Sequence, residues 1–289
     1  MKRTHVCFFV GFLQWLGKVF YLMPTFEMML LLFFIGITTG SITALISIAP
    51  TLIAIPALFF FLPIFGYSLN ELMLPAIATC ITAFIPMHLY AWINAMKKGD
   101  VDSQHLIRFS PGITMGGVIG AQSLSLISFD VFKICFSVLV VLTILGMTFH
   151  SFLAKSKTIT ITKNAALPIG LLIGVSSVMS GHCGSVLAYG LEKINTTSKN
   201  LRAGTISGFA VFTSIAALIG FIFPAKAFKS IELSGFAGAI HVPSMFILGM
   251  THFVFYLLCR GRANTLDKKV LSIGFIIFLA CSLIRLWID

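Results

Sequence analysis

The chain of 289 residues is 58% hydrophobic and 10% charged. A soluble core cannot bury that much apolar surface, so the composition excludes an ordinary soluble domain and predicts an all-α polytopic membrane protein. The formal net charge is +11, but the lysines and arginines fall between apolar segments, where they orient membrane helices. We therefore expect the lipid bilayer as a partner and no nucleic acid.

Residues 1–26 form a separate apolar segment with a basic start. The segment has the general pattern of a signal sequence, but Lys18 interrupts its apolar part and no small-residue cleavage site follows. It is interpreted as an extra membrane helix or as an interfacial helix, and the residues do not separate these two alternatives.

The first strong membrane segment has an unusual length. No charged residue or histidine occurs from Met28 to Asn70, and the apolar part ends near Leu62. A straight helix of about 35 residues would reach about 50 Å, against a hydrocarbon core of about 30 Å, whereas two full crossings need about 40 residues. A broken helical hairpin fits this length, and the sequence SIAPT predicts its turn at Ser47 to Thr51.

Apolar runs along the rest of the chain predict the remaining membrane segments. One of them is interrupted by the polar stretch SGHCGS, which starts at Ser180 and predicts a second broken hairpin. The segments are 72–96, 109–128, 131–153, 165–191, 203–223, 243–259 and 270–287.

An internal repeat is visible in three pairs of segments, although each pair is weak alone. Their common order along the chain predicts two homologous halves, 27–153 and 165–289, joined by a basic loop at 154–164. The pairs are 35–52 with 169–186, LPAIATC (74–80) with LRAGTIS (201–207), and KGDVD (98–102) with AGAIH (237–241).

The distribution of positive charge bears on the orientation of the two halves. If each half is a re-entrant hairpin plus three crossings, the second half is inverted relative to the first, and thirteen of the 20 basic residues fall on one side. If the hairpin segments each cross once, the basic residues are divided less unevenly between the two sides of the membrane. The charge pattern favours inverted repeats but leaves the second topology open.

Several short motifs occur in a fixed order along the chain. They are the glycine pairs Gly36 with Gly40 and Gly170 with Gly174, then Pro56, AIATC, a helix with His88, KKGDVD and PGITMGGVIGAQ. In this order they resemble the TauE/SafE family of sulfite and organosulfonate exporters, and the resemblance covers about residues 28–287. The chain departs from the family's Gly-Gly-Gly turn, with APT at 49–51 and CGS at 183–185.

This resemblance implies an exporter of a small anion, such as sulfite, an organosulfonate or a related small organic acid, in a bacterial inner membrane. No HExxH or GxSxG motif and no intramembrane carboxylate pair is present, so we expect no enzyme, no catalytic residue, no metal and no cofactor. A small anion channel and a thiol-redox conduit through intramembrane cysteines remain as alternatives.

The substrate site is predicted where the two hairpin tips meet near the bilayer midplane. A non-helical backbone at this depth must line a cavity or be buried in protein, and the returning arms would point helix N-termini at an anion. If His182 binds a proton, anion binding should strengthen as pH falls. The predicted site residues are Ser47, Pro50, Thr51, Thr79, Thr82, Ser180, Gly181, His182, Cys183, Gly184, Ser185 and Ser207.

Overall fold

The computed structural model of the chain describes most of both halves. The N-terminal segment predicted over 1–26 lies almost wholly outside the described residues, as do the basic loop 154–164 and the tip residues Cys183, Gly184 and Ser185. The described residues are 24–148, 165–182, 187–188, 190–191, 199–226, 235–261 and 267–288.

The described residues are almost entirely helical, as the composition predicts. A short 3₁₀ helix and a two-residue antiparallel strand pair complete the regular structure. The helices are α1 (Phe26–Ile46), α2 (Thr51–Phe61), the 3₁₀ helix (Leu62–Phe65), α3 (Leu69–Ala83), α4 (Ile85–Lys98), α5 (Ser103–Leu124), α6 (Phe129–Thr148), α7 (Ala166–Met179), α8 (Lys199–Ile222), α9 (Val242–Arg260) and α10 (Lys268–Trp287), and the strands are β1 (Phe236–Ala237) and β2 (Ile240–His241).

Six helical segments in the described part of the chain are long and apolar enough to cross a membrane. The shorter apolar helices α2 and α7 belong to the two predicted hairpins. An all-α polytopic membrane protein is therefore confirmed. The six segments are α1, α3 with α4, α6, α8 from Leu201, α9, and α10 from Lys269.

The first hairpin breaks where the sequence predicts a turn. Helix α1 ends at Ile46, and the next residue, Ser47, has a left-handed backbone with φ of 55°. Its N–H donates to Thr43 O at 2.9 Å, which closes the last turn of α1. Pro50 then caps α2, and its missing N–H costs nothing at a helix start.

The second hairpin is visible in its packing. Helix α7 ends at Met179, and Gly181 again has a left-handed backbone, with φ of 72°. Ala166 at the start of α7 and Leu191 on the far side of the tip belong to one buried cluster around Phe109. A straight helix would separate those two residues by nearly 40 Å, so the chain reverses direction between them.

The predicted segment 72–96 differs from the structure because it is broken in the middle. Helix α3 ends at Ala83, and α4 begins at Ile85. Pro86 has no N–H to continue the hydrogen-bond ladder of α3. The predicted segment 109–128 also starts earlier, at Ser103, because the Asp102 carboxylate accepts the His105 N–H at 3.0 Å and caps α5.

Helices α5 and α7 pack closely through glycine faces. A Cβ atom added at Gly116 would lie 2.9 Å from the Gly174 Cα, and one added at Gly174 would lie 2.9 Å from the Gly116 Cα. One turn away, a Cβ atom added at Gly170 would lie 3.3 Å from the Gly112 Cα. Such small-xxx-small faces allow membrane helices to approach until their backbones touch.

Helices α1 and α9 form the second extensive glycine-mediated contact. A Cβ atom added at Gly36 would lie 2.7 Å from the Thr251 Cβ, and one added at Gly40 would lie 3.1 Å from the Phe255 Cβ. The hairpin helix of the first half therefore packs on α9 of the second half, and the hairpin helix α7 of the second half packs on α5 of the first.

Candidate functional site

The first tip carries two buried hydroxyl groups. Thr51 begins α2 with 0% exposure, and Thr43 lies in the last turn of α1. Neither hydroxyl has a hydrogen-bond partner among the described residues. Leu52 and Ile53 donate their N–H groups to Ala49 O and Pro50 O. These two N–H groups are therefore already paired, although the first N–H groups of a helix usually lack a partner within the helix.

The second tip is a tight turn built on Ser177. The His182 N–H donates to Ser177 O at 2.8 Å, and the Gly181 N–H donates to Val178 O at 2.9 Å. The Ser177 hydroxyl is buried, and it too lacks a partner within the part of the chain that the structure describes. This turn places the His182 ring in the interior with 0% exposure.

The two tips are in contact. A Cβ atom added at Gly181 would lie 2.5 Å from Ile55 Cδ1, one turn into α2, and 3.5 Å from the Phe132 ring of α6. The second tip therefore packs against α2 one turn from Thr51, and side chains of α2 and α6 fill the space around Gly181.

The hydrogen bonding of His182 fixes its neutral tautomer. Its Nδ1 atom lies 2.7 Å from Ser180 O, and a carbonyl oxygen can only accept, so Nδ1 carries the hydrogen. The neutral ring then presents a bare lone pair at Nε2, and this buried atom has no partner among the described residues. His182 can donate to an anion only after Nε2 has taken a proton.

Three other predicted site residues use their hydroxyls within their own helices. Ser180 donates to Ser176 O at 2.5 Å, Thr82 to Ala78 O at 2.7 Å, and Ser207 to Ala203 O at 3.0 Å. Ser207 lies one turn from Gly204, whose neighbours are Ala95 and Asp100 at the end of α4. It therefore belongs to that end of the bundle and not to the tips.

Thr79 takes part in a pair of matching contacts between the halves. Its hydroxyl accepts the His241 N–H at 3.1 Å, and the Thr205 hydroxyl accepts the Asp102 N–H at 2.9 Å. His241 and Asp102 are the N-cap residues of α9 and α5. Each half thus anchors a helix start on a threonine of the other half.

An open cleft lies beside the first hairpin. Helices α1, α2, α3 and α9 and strands β1 and β2 line this cleft, and its empty space of about 600 Å³ includes open solvent at its mouth. The walls are mostly apolar, and the polar lining comes from Tyr67, Thr79, His241 and Ser244. His241 Nδ1 and Ser244 Oγ are 2.7 Å apart. Thr79 is therefore the predicted site residue that lines this cleft.

Sequence reasoning missed Thr43 and Ser177, although the internal repeat contained a signal for them. The ungapped alignment of 35–52 with 169–186 places Thr43 opposite Ser177. The same alignment places Ser47 opposite Gly181, the two residues with left-handed backbone at the tips.

Broken helices whose ends meet inside a bundle of membrane-length helices define a polytopic membrane protein of the transporter class. The family model described as sulfite exporter TauE/SafE matches residues 32–286, and the chain belongs to that family. A search of curated proteins and a search of solved structures each found no match. Because the family consists of membrane transporters, the protein is a multi-pass membrane transporter of a small solute.

Proposed function

We propose that the protein exports a small, compact anion of the sulfite or sulfonate type and binds it between the two hairpin tips. The donors are the Thr51 hydroxyl, the Thr43 and Ser177 hydroxyls and the protonated Nε2 of His182. No lysine or arginine occurs in either tip sequence, so the site offers little to a dicarboxylate or a nucleotide. A short organic acid with one anionic group would fit the same donors.

The observation that carries this proposal is the group of buried polar atoms at the tips. Thr43 Oγ1, Thr51 Oγ1, Ser177 Oγ and His182 Nε2 have no hydrogen-bond partner among the described residues. A buried polar group without a partner costs about 1–3 kcal/mol, so a ligand that pairs with several of them gains that free energy. The positive end of the α2 dipole adds attraction for an anion.

Close packing at the tips supports a carrier over an open channel. Ile55 and Phe132 fill the space around Gly181, so a solute needs a conformational change to reach Thr51 from either side. The cleft beside α2 offers a route of approach from one side. Alternating access to an enclosed site is the behaviour of a carrier.

We further propose that the two halves are inverted repeats that exchange their hairpins. The contacts α1 with α9 and α7 with α5 are equivalent under the sequence repeat. Gly99 and Gly238 are also equivalent, and both have a left-handed backbone. Arg260 Nη1 donates to Tyr90 Oη at 3.0 Å, so α4 and α9 finish at the same end of the bundle, as inversion requires.

The pH dependence of binding tests the site. Binding of methanesulfonate to the purified full chain should strengthen as pH falls, because Nε2 of His182 becomes a donor only when protonated. Methanesulfonate is the better probe because sulfite itself takes up a proton near neutral pH. His182→Gln should flatten the pH dependence and keep part of the affinity. Thr51→Val should weaken binding about fivefold at every pH, which corresponds to one hydroxyl hydrogen bond of about 1 kcal/mol.

Ser282→Ala is the matched control, because the exposed Ser282 hydroxyl donates to its own helix in α10. Transport in proteoliposomes separates the carrier from the channel: trans-side sulfite should accelerate sulfite entry in a carrier and leave it unchanged in a channel. Unaltered methanesulfonate binding by both tip variants would place the site elsewhere, and flux that never saturates would favour the channel.

A further inference from the structure

Two histidines outside the hairpin tips, His88 of α4 and His252 of α9, are buried in the membrane part of the bundle. Their exposures are 7% and 0%, and the proposed anion site uses neither. Ionisable side chains at this depth are costly and in transporters commonly mark ion or proton pathways.

The tautomer of His252 follows from its contact with α1. His252 Nδ1 and Thr39 Oγ1 are 2.9 Å apart, and the Thr39 hydroxyl lies 2.7 Å from Ile35 O, to which it donates. Since that hydroxyl has one hydrogen, its oxygen accepts from Nδ1 and Nδ1 carries the hydrogen. Nε2 therefore holds a bare lone pair, and this buried atom has no partner within the described ranges.

His88 completes the pair from the other side of α9. The Phe84 ring packs on the His252 ring at 4.6 Å, and the His88 N–H donates to Phe84 O at 3.2 Å. Because His88 follows Phe84 by one helical turn, both histidines lie next to the same ring. His88 Nε2 is also buried with no hydrogen-bond partner in the part of the chain that the structure covers.

Two tyrosine rings lie between the pair and the basic end of the bundle. Tyr256 stacks over His252 at 6.4 Å, and Tyr90 lies 6.4 Å from Tyr256 between ring centroids. Arg260 donates to Tyr90, two turns along α9 from His252. The groups that carry charge or titrate around His252 are thus His88 and Tyr90 from α4, Tyr256 from α9, and Arg260 beyond them, while α1 presents the Thr39 hydroxyl.

We propose that His88 and His252 form a proton-binding site that couples proton movement to transport. One proton binds at Nε2 of either ring, and repulsion between two imidazolium groups in this buried space opposes a second. An imidazolium here also favours a conformation in which water reaches the pair, which requires α9 to move away from α1. Protonation would therefore bias the conformational change that exposes the transport site, a change that the neutral chain also undergoes. This inference rests on the transporter function and not on the identity of the anion.

Proteoliposomes loaded with a pH-sensitive dye test the coupling, with methanesulfonate as the probe because it carries no proton itself near neutral pH. His252→Gln and His88→Gln should lose methanesulfonate-dependent proton flux and accumulation driven by a pH gradient, each by about tenfold or more, a typical coupling factor. Methanesulfonate counterflow, which needs no net proton movement, should stay within about threefold of wild type. His105→Gln is the control, because His105 stacks on Phe109 at the start of α5, away from the pair. Gradient-driven accumulation that survives in both variants would overturn the proposal.

A second measurement does not depend on any transported anion. Nitrogen NMR of ¹⁵N-histidine-labelled full chain in lipid nanodiscs, assigned with the two Gln variants, should show His88 and His252 titrating together as one proton binds. Imidazoles that both stay neutral at every pH at which the chain remains folded would also overturn it. Joint titration without any transport of methanesulfonate or sulfite would instead refute the proposed anion and leave the proton site standing.

Discussion

At the scale of single residues, the two tips solve one backbone problem with different side chains. Ser47 and Gly181 occupy equivalent positions of the repeat and both have a left-handed backbone, with φ of 55° and 72°. That conformation is nearly free for glycine and costs a residue with a Cβ atom about 1–2 kcal/mol. Ser47 therefore holds strain that Gly181 avoids.

Exchanging the residue types at these positions should shift stability in opposite directions. Ser47→Gly should stabilise the protein by about 0.5–1 kcal/mol. Gly181→Ala should destabilise it by about 1–3 kcal/mol, since the new Cβ meets Ile55 as well as an unfavourable φ. The measurement is the thermal unfolding midpoint in detergent, with Gly274→Ala as control because nothing lies within 4 Å of an added Cβ there. A midpoint unchanged by Gly181→Ala would mean that the tip can relax around the new methyl group.

The buried histidines His182 and His252 differ in the group that their Nδ1 atom contacts. His182 donates to a carbonyl within its own tip, whereas the Nδ1 of His252 binds a threonine of the other half. Both keep Nε2 as a buried lone pair. The same atom therefore serves a proposed anion contact in one place and a proposed proton site in the other.

At the scale of helices, the bundle depends on close contacts between glycine faces. Gly112, Gly116 and Gly120 of α5 face the backbone of α7, and Gly36 with Gly40 of α1 face α9. Lipid-embedded helices gain little from hydrophobic association, because lipid tails are as apolar as leucine. Van der Waals contact at short range therefore carries much of the association.

A side chain at the centre of this contact should separate α5 from α7. Gly116→Val places atoms where Gly174 Cα and Val175 N already lie, each 2.9 Å from an added Cβ. We expect a loss of about 1–3 kcal/mol or more, seen as a lower unfolding midpoint and a smaller monodisperse fraction in size-exclusion chromatography. Gly146→Val in α6 should change neither, because the space around Gly146 is open. Equal behaviour of the two variants would contradict close packing of α5 on α7.

At the scale of the whole molecule, the halves are interlocked. Each hairpin helix packs on the other half, and each of the two matching hydrogen bonds, Thr79 with His241 and Thr205 with Asp102, joins one half to the other. Neither half buries its glycine faces by itself. Movement of one hairpin must therefore be transmitted to the opposite half.

Topology at this scale is tested by single cysteines in a chain whose six native cysteines are replaced by alanine. Lys98→Cys lies at the C-terminal end of α4 and Gly261→Cys directly after α9, and inverted repeats place both on the same, cytoplasmic, face. Leu126→Cys, in the exposed turn after α5, should be labelled from the opposite face. An impermeant maleimide applied to intact cells and to inverted vesicles reads out the side. Labelling of residues 98 and 261 from opposite faces would mean that each hairpin segment crosses the membrane once.

Much of this architecture is encoded locally and could be predicted. The membrane class follows from composition, the first turn follows from the length of an uncharged segment, and the family follows from the order of short motifs. The length of the uncharged segment predicts a turn within Ser47 to Thr51, and the structure breaks the helix there.

Other features depend on residues far apart in the chain, and only the tertiary structure decided them. The hydroxyls of Thr43 and Ser177, which find no partner among the described residues, and the bond between His252 and Thr39 leave no local pattern of hydrophobicity. Hydropathy records whether a segment prefers lipid to water, which is a property of the segment alone. Whether a buried hydroxyl or imidazole finds a partner depends on which helix lies opposite, and close packing between the two halves decides that.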